Sequence, residues 1–399
     1  VNVKLGVTQK IDALLKNEGF CEEARAEFHR YLLSVNSLIG NFSSFSHFEK
    51  TSSEHSTQLN LINEITIIKQ SIQKHFENFS ENISVAFDFV ELVNKAKNVS
   101  NLIDSLARLY PDNAATDDKM ADAKSASARF IAFLDNPDSN ILLANKPYLL
   151  LKGKAGTGKS HLLADAVVAQ QGKDVPAILL LGQHFTTDKS PWTQILSEIL
   201  RLDCTENQFL EALNEIGEER GQRVLFCIDA INEGRGKFFW AEHFISFVND
   251  FENYPWISLI VSVRDTYFPK LIPAKFDENT HLKTAIHTGF VGREYEAIKV
   301  FFHYYEINLP KIPYLKADFS NPLFLKLFCE GLFKSGLHEV PEGYGGISSV
   351  MNYFIDNIDM KLGDPKYYDY DSSAKVCRKI VNGLIKHKQE NDLSYIPYD

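Results

Sequence analysis

A glycine-rich segment that directly follows an apolar run strongly restricts the folds open to this chain. The segment Gly153–Ser160 reads GKAGTGKS and comes just after the apolar run Tyr148–Leu151. It matches the pattern in which a strand leads into a loop that surrounds a phosphate chain with backbone N–H groups. Residues Lys159 to about Gln171 are predicted to form the next helix, whose N-terminal end favours anions. The sequence therefore predicts an α/β core that binds ATP or GTP.

Each residue type in this segment has a chemical task in nucleotide binding. The glycines let successive N–H groups converge on the β-phosphate, Lys159 reaches the β- and γ-phosphate oxygens, and the Ser160 hydroxyl ligates Mg²⁺. The alternative interpretation is a glycine-rich turn that binds nothing. The predicted cofactor-binding residues along this stretch are Gly153, Lys154, Ala155, Gly156, Thr157, Gly158, Lys159, Ser160 and His161.

A second apolar run ends in an acid, as a magnesium ion held by Ser160 requires. The run Val224–Ile228 leads into Asp229, which is predicted to be a metal ligand together with Ser160. Four positions later, Glu233 is predicted to orient or deprotonate the attacking water. The alternatives are a turn residue at the strand end for Asp229 and a helix-capping acid for Glu233.

A third apolar run, Ile257–Ser262, continues into Val263 and Arg264. Ligands of open α/β sheets bind at the carboxyl ends of the strands. Arg264 is therefore predicted to touch the γ-phosphate and to respond to its presence, which completes a catalytic set with Lys159 and Glu233. An ion pair of Arg264 with Asp265 or another surface acid is the alternative.

Four segments in this order resemble the STAND class of signalling NTPases, in particular the NACHT-like ATPases of bacterial antiviral (AVAST-type) systems. The resemblance covers roughly residues 125 to 399. It implies that Pro322 packs on the adenine, although a proline there equally well begins a helix over Leu323–Phe333. The four segments are Gly153–Ser160, Asp229–Glu233, Ser262–Arg264 and Asn321–Leu325.

The spacing of apolar residues and the resemblance together imply a domain order, cofactors and partners. We expect a helical domain over 1–115, a P-loop NTPase core over 116–290, a helical lid domain over 291–343 and a winged-helix-like domain over 344–399. ATP/ADP and Mg²⁺ are the expected cofactors, and a homo-oligomer is expected on activation. The trigger would be a protein, for example a viral one, acting through regions outside this chain, which begins at Val1 rather than Met.

Two positions depart from the NACHT pattern. Asn232 stands where an acid is usual, which bears on the rate of hydrolysis, and Asp265 stands where a proline usually follows the arginine. The segment 1–110 carries no nuclease, protease or NADase constellation, so we expect an adaptor bundle or the end of a larger effector there.

Hydrophobic spacing separates the helical from the sheet-forming regions. From about Cys21 to Leu109 the three- and four-residue spacing of apolar residues predicts a helical bundle, and the small acidic run Pro111–Asp118 predicts a linker. Farther on, apolar runs alternate with helical patterns, which is typical of a parallel sheet with flanking helices. The predicted strands are Pro147–Leu151, Val175–Leu181, Arg223–Ile228 and Trp256–Ser262.

Capping residues predict where two of the flanking helices begin. Ser190 precedes Pro191, which combines an N-cap with a proline at the first helical position. Thr205 and Gln208 have the spacing of a capping box.

Charge and hydropathy limit the partners. The formal net charge of −10 argues against a surface built to grip a nucleic-acid backbone, so nucleic acid is not indicated. No apolar run approaches the ~18 residues that span a bilayer, so no membrane partner is expected. The five cysteines are far apart and form no CxxC pair, which indicates a reducing, cytoplasmic setting.

Three functions remain open at this point. The leading hypothesis is a signalling switch that ADP holds closed and ATP·Mg²⁺ opens for oligomerisation, with slow hydrolysis as the reset. An AAA-type ATPase that remodels nucleic acid or protein shares the core motifs, but Ala230 follows Asp229 where that class has an Asp-Glu pair. The third is a nucleotide-locked scaffold that never hydrolyses.

Overall fold

The structure, a computed structural model, divides into two compact units. The first contains Gly6–Ala155 and Lys159–His287, and the second contains Gly156–Gly158 and the described part of Thr288–Asp399. No helix in the described part of the chain is long and apolar enough to cross a membrane. The described residues are 6–44, 53–81, 88–110, 114–135, 140–273, 276, 282–309, 317–334, 336–340, 352, 355–356, 358–360, 362–363 and 371–390.

Five helices form a bundle at the start of the first unit, which confirms the helical prediction for this region. Helix α5 packs against α2 and α4, and the Phe130 ring lies 4.4 Å from Tyr31 and 4.8 Å from Phe28, centroid to centroid. The bundle helices are α1 Gly6–Leu14, α2 Glu18–Ser44, α3 Ser53–Glu81, α4 Phe89–Leu109 and α5 Ala114–Asp135.

The predicted linker over Pro111–Asp118 is wrong from Ala114 onward, because α5 begins there. Alanine is the best helix former and an acid in the first turn, here Asp117, suits the positive helix end. The same composition that suggested a linker therefore also suits a helix start. The expected domain boundary after residue 115 falls inside this helix, and that boundary stays a prediction.

A five-stranded parallel sheet follows the bundle, with strand order β2-β3-β4-β1-β5. The four predicted strands are confirmed with bounds that shift by one or two residues. The fifth strand was not predicted because it is short and only one of its four residues is buried, so it has no apolar run. The strands are β1 Tyr148–Gly153, β2 Ala177–Leu181, β3 Val224–Asp229, β4 Ile257–Arg264 and β5 Lys283–Ile286.

Alternate strand residues face opposite sides of the sheet, and both sides are buried. Leu149 and Leu151 of β1 belong to a hydrophobic core that continues without a break into the helical bundle. Leu150 belongs to a second core on the other side, which is rich in aromatic rings. The helices that connect or flank the strands are α6 Ile141–Asn145, α7 Lys159–Gln171, α8 Pro191–Thr193, α9 Glu206–Arg220, α10 Gly236–Asn249 and α11 Phe268–Leu271.

Both predicted helix starts are confirmed. Ser190 is the N-cap of α8: its hydroxyl accepts a hydrogen bond from the Thr193 N–H, and Pro191 is the first helical residue. A π-helical segment over Gln194–Leu200 continues α8. Thr205 and Gln208 form the reciprocal capping box of α9.

The second unit is helical in its described residues. Phe302, Phe319 and Phe328 lie in its own hydrophobic core. Most of the segment expected to be winged-helix-like, 344–399, lies outside the described residues, and that expectation stays a prediction. This unit includes the helices α12 Glu294–Tyr304, α13 Pro322–Lys334 and α14 Val376–Glu390.

Candidate functional site

The glycine-rich loop connects the carboxyl end of β1 to the first turn of α7. Gly156 and Gly158 have φ angles of 76° and 95°, in the left-handed region that glycine adopts without steric cost. These two glycines let the chain turn back so that Lys159, the first residue of α7, is only 8% exposed. Its ammonium donates hydrogen bonds to the carbonyl oxygens of Gly153 at 2.7 Å and Lys154 at 2.9 Å.

Lys159 lies in a mixed electrostatic environment. Burial lowers the pKa of its ammonium, whereas the Asp229 and Asp265 carboxylates oppose that shift and Arg264 adds to it. These three residues come from the carboxyl ends of β3 and β4 or the position just after. The structure thus brings the predicted residues Lys159, Asp229 and Arg264 to one edge of the sheet.

Asp229 ends β3 and is followed by a tight turn. Ala230 has a φ angle of 55°, which costs an alanine about 1–2 kcal/mol. The Ser262 side chain, fully buried in β4, donates a hydrogen bond to Asp229 Oδ1 at 2.5 Å and accepts one from the Ala230 N–H at 2.7 Å. The Ser262 carbonyl accepts a further bond from the Ile231 N–H at 3.0 Å. One serine therefore holds both the metal-ligand candidate and the strained turn behind it.

The next residues of this turn bond to Arg264. The Asn232 side-chain oxygen accepts a hydrogen bond from the Arg264 backbone N–H at 3.0 Å, and the Glu233 carboxylate accepts one from the guanidinium at 2.8 Å. Both charged side chains are partly exposed, at 43% for Arg264 and 36% for Glu233. The ion pair that the sequence left open for Arg264 is therefore formed, but with Glu233 rather than with the neighbouring Asp265.

The oxygen donors at this edge suit a magnesium ion. Ser160 in the first turn of α7 and Asp229 at the end of β3 provide a hydroxyl and a carboxylate, and Mg²⁺ takes one or two such protein ligands with phosphate and water as the rest. Among the described residues, no group of three or more His, Cys, Asp or Glu could hold a metal ion by itself. The donor set fits a metal that arrives with a nucleotide.

The His161 side chain lies at the surface of the first turn of α7. Its imidazole is 68% exposed and lies 3.7 Å from the Asp165 carboxylate one turn along α7. Its position in the first turn of α7 still directs the backbone N–H toward the helix N-terminus, where anions bind.

Pro322 is the first residue of α13, which agrees with the interpretation as a helix start. The Asn321 side-chain oxygen caps this helix by accepting hydrogen bonds from Leu323 N–H at 3.0 Å and Phe324 N–H at 3.2 Å. Leu323 N–H also donates to the Gly156 carbonyl at 3.2 Å, and both residues belong to the second unit. The adenine contact implied for Pro322 stays a prediction.

Two residues of this edge were not singled out from the sequence. His287 follows β5, is 2% exposed, and its backbone N–H donates to the Lys152 carbonyl at 2.7 Å. Burial, helped by Lys159, lowers the pKa of His287 to about 4, so its imidazole is neutral at pH 7. The other is Ser262, which the sequence showed as part of a motif without a role. Neither a lone histidine nor a strand serine forms a pattern that sequence inspection can recognise.

Comparison with known proteins adds little to this geometry. No family model matches the sequence, and no curated protein matches it. A solved structure titled "Structure of Drosophila ORC bound to GC-rich DNA and Cdc6" contains a similar chain, with 14% identity, a TM-score of 0.24 and coverage of 60% of this chain and 86% of that chain. A second, "Structure of Drosophila ORC bound to AT-rich DNA and Cdc6", has 12% identity, a TM-score of 0.25 and coverage of 73% and 96%. Likenesses this low carry no functional argument.

Proposed function

We propose that this chain is an ATP-dependent signalling switch of the STAND type. It binds ATP or ADP with Mg²⁺, hydrolyses ATP slowly, and assembles into homo-oligomers when a trigger acts on it. The observation that carries the proposal is the position of Lys159, which is buried in a glycine loop beside Asp229 and bonded there to backbone carbonyls.

Exchange of carbonyls for phosphate favours nucleotide binding. The Lys159 ammonium is bonded to two neutral acceptors, the carbonyls of Gly153 and Lys154. Charge-assisted hydrogen bonds to phosphate oxygens are roughly twice as strong as neutral ones. The N-terminal turn of α7 adds unpaired N–H groups that favour the same anion. Bound Mg²⁺ would neutralise part of the phosphate charge, with Ser160 and Asp229 as its protein ligands.

The Arg264–Glu233 ion pair supports a slow, γ-phosphate-dependent activity. Arg264 is well placed at the end of β4 to exchange Glu233 for a γ-phosphate, because both members of the pair are partly exposed. Release of Glu233 then frees its carboxylate to orient a water molecule. Since exposed ion pairs are worth only about 0–1 kcal/mol, breaking the Arg264–Glu233 pair costs a bound triphosphate little free energy. A diphosphate has no γ-phosphate to compete for Arg264, so it leaves the pair in place.

The finer parts of the proposal rest on the resemblance to STAND ATPases. In that class a helical segment with the Asn-Pro-Leu motif contacts the adenine, a role that Pro322 would take here. Oligomerisation, a trigger protein that acts through regions outside this chain, and a part in antiviral defence are proposed on the same basis. The formal net charge of −10 supports a protein trigger over a nucleic acid.

Nucleotide binding by a Lys159→Ala variant tests the proposal. A fluorescent ATP analogue reports binding, and light scattering reports ATP-dependent assembly; we expect both to be lost, because the loop then lacks the buried ammonium that reaches the β- and γ-phosphates. Lys173→Ala is the matched control, since Lys173 is an exposed lysine just past the same helix. Assembly that persists in Lys159→Ala contradicts the switch.

Turnover separates the switch from a remodelling ATPase. We expect slow hydrolysis that added DNA does not accelerate. A large stimulation by DNA would instead favour the motor class, whose members couple hydrolysis to work on a substrate.

A further inference from the structure

Two fully buried serines lie four residues apart on β4, at opposite ends of the strand. Ser262 is near the carboxyl end and Ser258 near the amino end, and both are 0% exposed. The Ser258 hydroxyl donates to the Leu14 carbonyl at 3.2 Å, a backbone acceptor at the end of α1. The Ser262 hydroxyl instead donates to the Asp229 carboxylate at 2.5 Å. The same residue type thus has two different partners on one strand.

We infer that Ser262 is a positioning residue that orients the Asp229 carboxylate for the Mg²⁺ of a bound nucleotide. Ser262 would act on the metal through Asp229 and not by touching it. It has this role only if the site binds Mg²⁺ with a nucleotide, as proposed above.

The geometry around Ser262 leaves Asp229 little freedom to rotate. The hydroxyl donates its single proton to Asp229 Oδ1, and its lone pair accepts the Ala230 N–H at 2.7 Å. Because the Ala230 N–H points at the same oxygen, the hydroxyl proton is directed at the carboxylate. A bond from a neutral hydroxyl to a carboxylate is charge-assisted and short, which fixes the plane of the acceptor.

The backbone behind Asp229 is held from the opposite side as well. Ala230 has a left-handed φ angle, and a Cβ atom added to Gly182 would lie 1.9 Å from the Ala230 carbonyl oxygen. The turn therefore lies directly against the end of β2. With the turn fixed by Gly182 and by Ser262, the side-chain hydroxyl is what decides the orientation of the carboxylate.

Partners that hydrogen-bond to a metal-ligating carboxylate commonly affect metal affinity by about 10- to 100-fold. Loss of the Ser262 hydroxyl should therefore change the response to Mg²⁺ while leaving the phosphate contacts of Lys159 intact. A serine with a purely structural role would lower stability without changing that response.

The test measures binding of a fluorescent ATP analogue to the full chain, in EDTA and across a Mg²⁺ titration. For Ser262→Ala we expect a Mg²⁺ midpoint raised by about tenfold or more, with metal-free nucleotide affinity unchanged. Ser258→Ala is the matched control: it removes an equally buried hydroxyl from the same strand and should keep the wild-type midpoint. Thermal unfolding of both variants reports the loss of stability that they share.

The outcomes separate the two levels of the proposal. A Ser262→Ala midpoint equal to wild type, or an equal shift in Ser258→Ala, overturns the role of Ser262 while nucleotide binding by the wild type stands. Wild-type protein that binds no nucleotide with or without Mg²⁺ overturns the proposed function and the role of Ser262 with it. If Ser262→Ala does not fold, Ser262→Cys decides: its thiol is a weak donor of similar size, so a raised midpoint supports the role and an unchanged one overturns it.

Discussion

The two ends of the central strands β3 and β4 each carry an arginine, and the two arginines are used in opposite ways. At the amino edge, Arg223 just before β3 is 2% exposed and donates to the carbonyls of Leu14, Ala144 and Pro255 at 2.8, 2.8 and 3.0 Å. At the carboxyl edge, Arg264 donates from its guanidinium to a carboxylate and is 43% exposed. One arginine is enclosed by neutral backbone acceptors, and the other is accessible and paired with a charge.

This contrast separates stability from function within a single sheet. Because Arg223 is 2% exposed, a ligand cannot replace its bonds to backbone carbonyls unless the fold opens, and buried carbonyls then lose a hydrogen-bond partner. Bonds between accessible charged side chains can be exchanged for bonds to a ligand at small cost. We therefore expect substitutions at the amino edge to lower stability, and those at the carboxyl edge to change the response to nucleotide.

The largest effect is expected at the amino edge. Arg223→Ala removes three hydrogen bonds from a buried site, and although the Leu14 carbonyl keeps its bond from Ser258, we expect the free energy of unfolding to fall by about 4 kcal/mol. Urea denaturation measures this loss. Arg220→Ala is the control, because Arg220 forms an exposed ion pair with Asp174 and should cost less than ~1 kcal/mol. Equal losses of unfolding free energy in the two variants would show that the buried bonds of Arg223 contribute no more to stability than an exposed ion pair.

A pH effect of intermediate size is expected at the carboxyl edge. Burial and then Lys159 lower the pKa of His287 to about 4, while the unfolded chain has a histidine pKa near ~6.5. Between these values the unfolded state binds a proton that the folded state does not, so stability falls as the pH falls. The loss reaches about 3 kcal/mol near pH 4.

Denaturation curves at several pH values measure this loss. His287→Asn should flatten the dependence between pH 6.5 and 4, whereas His184→Asn, which changes an exposed histidine just past β2, should follow the wild type. A His287→Asn curve parallel to the wild type would show that this edge does not keep its histidine neutral.

The smallest effect comes from two asparagines at opposite ends of β4. The Asn214 side chain accepts a bond from the Trp256 N–H and the Asn232 side chain accepts one from the Arg264 N–H, both at 3.0 Å. Each change to alanine should cost about 1 kcal/mol of stability. Asn232→Ala alone should also reduce the preference for ATP over ADP, measured by competition binding, because it loosens Arg264. If Asn214→Ala and Asn232→Ala showed the same preference for ATP over ADP, the two edges would not differ in their response to nucleotide.

Local signals in the sequence predicted much of this fold. The caps at Ser190 and Thr205 and four of the strands depend on neighbouring residues, which is why spacing and residue type were sufficient. The start of α5 was wrongly predicted to be part of a linker, because its alanines and acids suit both a loop and the beginning of a helix. Strand β5 escaped prediction because its pairing with β1, rather than any apolar run, defines it.

The sequence predicted those residues of the candidate site that lie at the ends of predicted strands. Asp229 and Arg264 were expected at the carboxyl edge because each follows an apolar run. The choice of Glu233 rather than Asp265 as the partner of Arg264 depends on how the turn after β3 folds beside β4. The role of Ser262 depends on the same register, and sequence spacing does not reveal it.

The uninterrupted core that joins the helical bundle to the sheet has a practical consequence for shortening this protein. Removal of the first 135 residues would strip the cover from Leu149 and Leu151 and take away the Leu14 carbonyl that both Arg223 and Ser258 bind. The shortened protein would expose a large hydrophobic surface, and we expect it to aggregate. Expression trials should therefore start upstream of α1 and place any affinity tag there.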